Sequence, residues 1–599
     1  MLQDFSAPVP AGSPSAPSLS CHVIDNARTH PDSVVFRVRE GFGMRNVTCA
    51  DFHAEVRAVA KGLIASGIQA GQRIGLMSRT RYEWTLFDCA IGYAGAVSVP
   101  IYETSSADQV AWILEDSGAV AVILESDKNK ALFGPLAASL AEVRRTWVID
   151  DACVEFLTTV GASVDDAELD ARQAAIGPAD AATIIYTSGT TGRPKGCVLT
   201  QGNFMAEVDG ALEVFGDILL APHASTLLFL PLAHVFGRIL GYAFIKGRTL
   251  TGFCSDTKTL VPELQQFRPT FVVAVPRVFE KVFNTAQQTA QAGGRGRIFD
   301  AAAHTAIAYS QGLETGATGV GLRIRRLAFD ALVYRKIRAA MGGRVEYAIS
   351  GGAPLGARLG HFFRGIGIEV FEGYGLTETT AAIAATHPGA VKIGTVGQPM
   401  PGTSIRIAED GEIMAKGGQV FTRYLNNERA TEDSFTRDGW FHTGDLGTLD
   451  DDGYLQITGR KKEIIVTAGG KNVAPAVLED RLRASWLVSN CLVVGEAKPY
   501  IAALVTIDPE AFPAWLTQHH KPEGGTVAQY VNDPDLLTDV QAAVDEANAA
   551  VSHAEAIKRF IILDHDWTEA DGHITPSLKL KRSVVMHACA EAIESLYAG

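Results

Sequence analysis

Cysteine is sparse and scattered. The eight residues, at 21, 49, 89, 153, 197, 254, 491 and 589 of 599, include no C-x-x-C spacing. A zinc ribbon or a disulfide framework is therefore excluded as the organising device, and reduced thiols in a cytoplasmic protein are the simple reading. Positive charge is in deficit, with 53 Lys and Arg against 67 Asp and Glu, for a net charge of −14. Sequence-independent grip on nucleic acid needs a basic surface, so no nucleic-acid partner is expected. Long apolar runs are nearly absent. The one candidate, residues 226–245, carries Pro231, His234 and Arg238, each costly at a bilayer centre, and reads as a core strand followed by a helix. The N-terminus lacks both a basic and an apolar signal region. Residues 1–20, rich in Pro, Ala and Ser, read as a short disordered lead.

What is present is ordinary globular material: 47% apolar and 20% charged residues, enough for roughly four compact units by length, or fewer if the units are large. No internal repeat is visible. Strand and helix patterns alternate, which favours mixed sheets with helices on their faces. Helices are expected at 56–66 and 109–116, and strands at 73–77, 120–124, 183–186, 271–275, 345–349 and 368–371, the last entering a glycine-rich turn. After about residue 459 the elements shorten. A helix at 474–484, a hairpin turning near Gly495 and Pro499, a last helix at 539–551 and a strand at 560–563 are expected there. The fold class is α/β: a large N-terminal domain of packed mixed sheets with helices, residues 21–459, and a small mobile α+β domain, residues 460–599.

The most specific segment follows the strand at 183–186. It runs Tyr186, Thr187, Ser188, Gly189, Thr190, Thr191, Gly192, Arg193, Pro194, Lys195, Gly196. Glycines let backbone N–H groups turn inward to form an anion-binding concavity, hydroxyls add donors, and Lys195 adds a point charge. It is not a Walker loop, because Lys195 is followed by Gly rather than Ser or Thr. Downstream stands Glu372, Gly373, Tyr374, Gly375, Leu376, Thr377, Glu378. A ring between glycines can stack on a purine, Thr377 can reach a phosphate, and Glu378 offers a hard oxygen for Mg²⁺. Next comes Asp445, in Gly-Trp-Phe-His-Thr-Gly-Asp, a residue suited to accepting two ribose hydroxyls.

These segments, in this order, resemble the adenylate-forming superfamily of acyl-CoA synthetases, luciferases and peptide-synthetase adenylation domains. The resemblance implies that Gly351, Gly352, Ala353 and Pro354 lie against the nucleotide and that Thr187 shares the metal with Glu378. It also implies that Arg460 contacts ribose and that Lys462 is a hinge. Gly469 and Gly470 would line the channel for coenzyme A, and His234 and Phe236 would belong to the acyl pocket, although a core histidine with a satisfied hydrogen bond is an equal reading of His234. In Thr575-Pro576-Ser577-Leu578-Lys579-Leu580-Lys581, most of the superfamily has Gly-Lys where this chain has Leu578-Lys579. Alignment on Thr-Pro-Ser makes Lys579 the catalytic lysine, with Lys581 as competitor.

The Leu-Lys variant, the segment 275–281, the loop 350–355 and the helical stretch 287–343 together resemble bacterial long-chain fatty acyl-CoA synthetases. The implied reaction is ATP-dependent activation of a long-chain fatty acid to its coenzyme A thioester through an acyl-adenylate, with Mg²⁺. Alternatives are another acceptor, such as a carrier protein, a medium-chain or aryl acid, and a non-catalytic nucleotide or fatty-acid binder. Arg323, Arg325, Arg326, Arg335, Lys336 and Arg338 interleave with apolar residues, which raises two readings: peripheral contact at the inner face of the membrane, or a packed amphipathic helix with a solvated basic face. A homodimer stays open.

Overall fold

The computed structural model describes residues 2–9, 17–41, 43–187, 193–575 and 579–598, and six sheets organise these described residues. The seven-stranded sheet runs, edge to edge, Arg423–Tyr424, Lys195–Thr200, Ala181–Thr187, Val97–Ile101, Arg73–Met77, Ala119–Leu124 and Arg145–Val148. From Ala181–Thr187 to Arg145–Val148 its strands are parallel, and its centre is buried on both faces. Near-continuous apolar runs such as Ala-Val-Ala-Val-Ile-Leu are what such a position demands. A five-stranded sheet orders Phe271–Ala274, Tyr347–Gly351, Glu369–Leu376, Ala381–Ala385 and Gln398–Pro399. A four-stranded sheet and a second five-stranded sheet, the latter ending in Phe441–Leu449 and Leu455–Arg460, complete the part before Lys461. From Ile465 onward a two-stranded and a three-stranded sheet pack with their own helices around separate apolar clusters.

Helix ends follow local chemistry. The helix expected at 56–66 begins earlier, as Cys49–Ala65, because Thr48 and Asp51 close a reciprocal capping box. The helix Ala107–Ser117 is capped by Ser106 with Gln109 and stopped by Gly118 at φ +62°. The stretch 226–245 forms the buried strand Ser225–Leu228 and the helix Val235–Gly247, as expected, and Arg238 is buried there in a bidentate pair with Asp88. Among the described residues no helix is long and apolar enough to cross a membrane.

Three expectations need correction. Part of the N-terminal lead is ordered: Asp4–Ser6 pairs antiparallel with Thr403–Ile407, and Phe5 packs on the sheet's apolar cluster. The strand expected at 368–371 does not stop at a turn. It runs on as Glu369–Leu376, because Gly373 to Leu376 pair with Ala381–Ala385 across a bulge at Tyr374/Gly375. Gly375 is required there, since a Cβ would lie 1.5 Å from the Ala381 carbonyl oxygen. The helix expected last is Pro534–Asn548, and two more follow, Arg582–Ala588 and Ala590–Tyr597.

Candidate active site

Hairpin geometry brings the ends of the hydroxyl-rich loop together. Thr187 ends one strand, Lys195 begins the next, and the two are opposite each other in register. Ser188, Gly189, Thr190, Thr191 and Gly192 lie outside the described residues. The returning strand is held from outside: Trp112 Nε1 donates to the Pro194 carbonyl at 2.9 Å, and Arg193 lies 4.7 Å from the Trp112 ring centre. Lys195 Nζ stands 4.8 Å from the centre of the Tyr424 ring. The Tyr424 hydroxyl donates to Glu378 Oε1 at 2.7 Å. The loop's cation and the carboxylate are thus joined through one aromatic side chain. Burial and the neighbouring Glu378 push the Tyr424 phenol well above its ordinary pKa, so it stays a donor.

Glu378 sits in the one-turn helix Thr377–Thr379 at the end of Glu369–Leu376, and its backbone oxygen accepts from Phe421 N at 2.7 Å. Its Oε2 has no hydrogen-bond partner among the described residues. A carboxylate with one oxygen held by Tyr424 and the other without a partner among the described residues is a hard-oxygen donor that fits Mg²⁺. No described group of three or more His, Cys, Asp or Glu side chains forms a complete metal cage.

The nucleoside end is built by neighbouring strands. Gly351 is opposite Gly373 in register, which sets the loop of Gly352, Ala353 and Pro354 beside Tyr374. Leu355 N donates to Glu372 Oε2 at 3.0 Å, and burial lifts the Glu372 pKa to about 7. The Tyr374 hydroxyl donates to Asp445 Oδ2 at 2.7 Å, and Arg460 Nε lies 3.1 Å from Asp445 Oδ1. Asp445 and Arg460 are cross-strand partners, so the pair is fixed by register. Burial raises the Asp445 pKa, opposed by Arg460, the Tyr374 bond and Lys579. Each carboxylate oxygen keeps a further lone pair, the capacity a ribose diol needs.

Lys579 comes to the same place from the C-terminal part. It is solvent-accessible, yet crowding by protein and then Arg460 lower its pKa, while Asp445 and Glu378 act in the opposite direction. Lys581 stands at the N-cap position of the helix Arg582–Ala588, with no capping hydrogen bond from its side chain. His234 Nδ1 accepts from Phe236 N at 3.2 Å, and desolvation, with Lys579 second, lowers its pKa to about 3. The imidazole is therefore neutral, with Nδ1 accepting from the backbone, and it also lies within electrostatic reach of Lys579. Phe236 packs on Gly351, where a Cβ would come within 3.1 Å of its ring.

Lys462 lies exposed in the short helix Lys461–Glu463, while Lys461 ties back to Asp410 and Glu412. Gly469 and Gly470 form an exposed turn, closed by Gly470 N on Thr467 O at 2.8 Å, and are not part of the Lys195–Lys579 cluster. The parts before and after Lys462 touch through a few polar contacts. Arg358 donates to the Ala484 carbonyl at 2.9 Å, and Lys281 pairs with Glu510 at 2.7 Å.

Sequence reasoning missed Tyr424 and Glu412. Glu412 accepts from Gly444 N at 3.0 Å beside Asp445 and pairs with Lys461. Neither carries a local signal, because each acts through partners distant in sequence.

The AMP-binding enzyme profile matches residues 23–425, and the profile of the AMP-binding enzyme C-terminal domain matches residues 462–599. Long-chain-fatty-acid–CoA ligase FadD15 of Mycobacterium bovis is 52% identical over 600 residues, covering 100% of both chains. The A-PCP didomain of carboxylic acid reductase from Segniliparus rugosus, in complex with AMP, matches with a TM-score of 0.73 and 21% identity over 99% of this chain and 84% of that one. O-succinylbenzoate coenzyme A synthetase from Bacillus subtilis, in complex with ATP and magnesium ion, gives a TM-score of 0.66 and 21% identity over 94% and 98%. The two structures speak to the fold alone.

Proposed function

The chain belongs to the family of AMP-binding enzymes, and from that premise we propose how its residues carry out an AMP-forming long-chain-fatty-acid–CoA ligase reaction. ATP, a long-chain fatty acid and coenzyme A are its substrates, the reading that the full-length likeness to FadD15 supports. In the first half-reaction a carboxylate oxygen of the acid bonds to the α-phosphorus of ATP and pyrophosphate leaves. In the second the thiol sulfur bonds to the acyl carbon, the carbon–oxygen bond to AMP breaks, and the thiol proton goes to solvent.

Oxide is a poor leaving group, and adenylation replaces it with a phosphate ester. Phosphoryl transfer of this kind is mainly positioning and charge stabilisation. Lys195, with the loop 188–192, is assigned to the β- and γ-phosphates. Asp445 and Arg460 are assigned to the ribose, and Tyr374 with the loop from Gly351 to Pro354 to the adenine. Thr377 is assigned to a phosphate oxygen. Lys579 bridges the incoming carboxylate and the α-phosphate. Mg²⁺, held by Glu378 and Thr187, would neutralise phosphate charge. His234 and Phe236 are assigned to the acyl group, where a neutral imidazole would place no charge against an apolar tail.

The observation that carries this reading is the convergence of Lys579, from the far end of the chain, on Asp445, Arg460 and Glu378. Lys579 and the thiol cannot serve in one place at one time. We therefore assign residues 460–599 to a domain that turns about Lys462 and brings Gly469 and Gly470 to the thiol's path. The few polar contacts across the divide are the kind that separate at small cost. The test is pyrophosphate release and thioester formation across acids from acetate to C20, with aryl acids included. A maximum on long-chain acids with free coenzyme A as acceptor is expected, and a flat panel would contradict it.

A further inference from the structure

The basic stretch after residue 319 folds as the helix Val320–Phe329, a five-residue π turn Asp330–Tyr334 and the helix Arg335–Ala340. One side is anchored. Phe329 and Val333 pack against the main core, and buried Tyr334 donates to the Ala302 carbonyl at 2.7 Å. The other side is bare. Val320, Ile324 and Leu327, at i, i+4 and i+7 on one helical face, are 74%, 62% and 66% exposed, and Leu332 is 58% exposed. No residue of Val320–Phe329 is buried. Four exposed cations accompany this apolar ridge: Arg323, Arg325, Arg335 and Lys336. Among the described residues none of them forms an ion pair, whereas Arg338 pairs with Asp330 at 2.7 Å.

Scattered exposed apolar residues need no explanation, but a contiguous ridge among unneutralised cations does. This one sits on a chain of net charge −14. An isologous contact with a second copy would set the cations against themselves. An anionic bilayer surface complements both features at once, since apolar side chains enter the headgroup boundary and cations meet lipid phosphates. We propose that the ridge of Val320, Ile324, Leu327 and Leu332, flanked by Arg323, Arg325, Arg335 and Lys336, docks the protein peripherally on anionic membranes. The proposal rests on the ligase reading only for its purpose, namely that a long-chain acid partitions into bilayers.

The test is sedimentation of the full chain with vesicles of phosphatidylcholine alone or with 30% phosphatidylglycerol, without ATP, acid or coenzyme A. Failure here is therefore separate from failure of the ligase reading. Each cation near such a surface is worth about fivefold in partitioning. Binding to the anionic vesicles is expected, falling on the order of tenfold or more in R325Q/R335Q and in high salt. I324S/L327S is expected to bind less tightly at every salt concentration. Both variants should keep the melting temperature and the rate on a short, water-soluble acid. Three results would overturn the proposal: no binding to anionic vesicles, equal binding by the variants, or a concentration-dependent dimer that I324S/L327S dissolves without any vesicle binding.

Discussion

The Tyr424 hydroxyl donates a 2.7 Å hydrogen bond to Glu378 while the ring of the same residue lies beneath Lys195 Nζ. One side chain thus fixes the distance between the loop's cation and the carboxylate assigned to the metal. Hydrogen bonds to charged groups are worth about 1.5–3 kcal/mol, or roughly 10- to 100-fold. Y424F is expected to lower adenylation by that factor and to raise the Mg²⁺ concentration needed for half-maximal rate. Titrating Mg²⁺ against pyrophosphate release checks this. A fall in melting temperature with an unchanged Mg²⁺ requirement would mean that Tyr424 only holds the fold.

K579A is expected to abolish pyrophosphate release, by about 10³-fold or more, yet to leave thioester formation from preformed acyl-adenylate within roughly tenfold. Single-turnover assays of each half-reaction separate the two. Equal loss in both would contradict the division of labour.

Lys579 must carry its proton to stabilise phosphate charge, and crowding lowers its pKa below that of an ordinary lysine. Adenylation should therefore fall as pH rises, on a limb lying below the ordinary lysine range. Thioester formation from acyl-adenylate should lack that limb, and K579R should move it upward. Rate profiles of both half-reactions against pH provide the check.

Glu372 is a carboxyl whose folded pKa is raised to about 7 by burial. Its stabilising contribution is fully present below its ordinary value and is lost as pH rises through about 7. The wild type should gain thermal stability between pH 8 and pH 5, and E372Q should show a smaller gain. Melting curves in matched buffers test the sign.

Arg238 and Asp88, both with side chains 2% exposed, form a bidentate pair to which Ser98 and Tyr242 add hydrogen bonds. Removing one partner of a buried pair strands the other, at about 3–5 kcal/mol. R238A should lose that much in denaturant unfolding while any properly folded fraction keeps its affinity for ATP.

Much of this was legible because the chemistry is local. The Gly373–Glu378 block and Asp445 can each be read from a few consecutive residues, and the parallel strands announce themselves by apolar runs such as 119–124. The helix at 109–116 could be read from its spacing to within two residues at one end and one at the other. What was hidden is long-range. Tyr424 acts on Glu378 across 46 positions, and nothing beside it in sequence marks it. Gly373 and Gly375 look like turn residues, and only the pairing of their strand with Ala381–Ala385 makes them extended. Asp4–Ser6 has no strand pattern of its own and is ordered by the edge of a distant sheet.

The central claim is that a carboxylate oxygen of the fatty acid bonds to the α-phosphorus. It is tested most directly with a long-chain acid labelled with ¹⁸O in both carboxyl oxygens, incubated with the protein, ATP, Mg²⁺ and coenzyme A. Mass spectrometry of the nucleotide product should show AMP carrying one ¹⁸O, with the pyrophosphate unlabelled. Unlabelled AMP alongside a formed thioester would contradict the account.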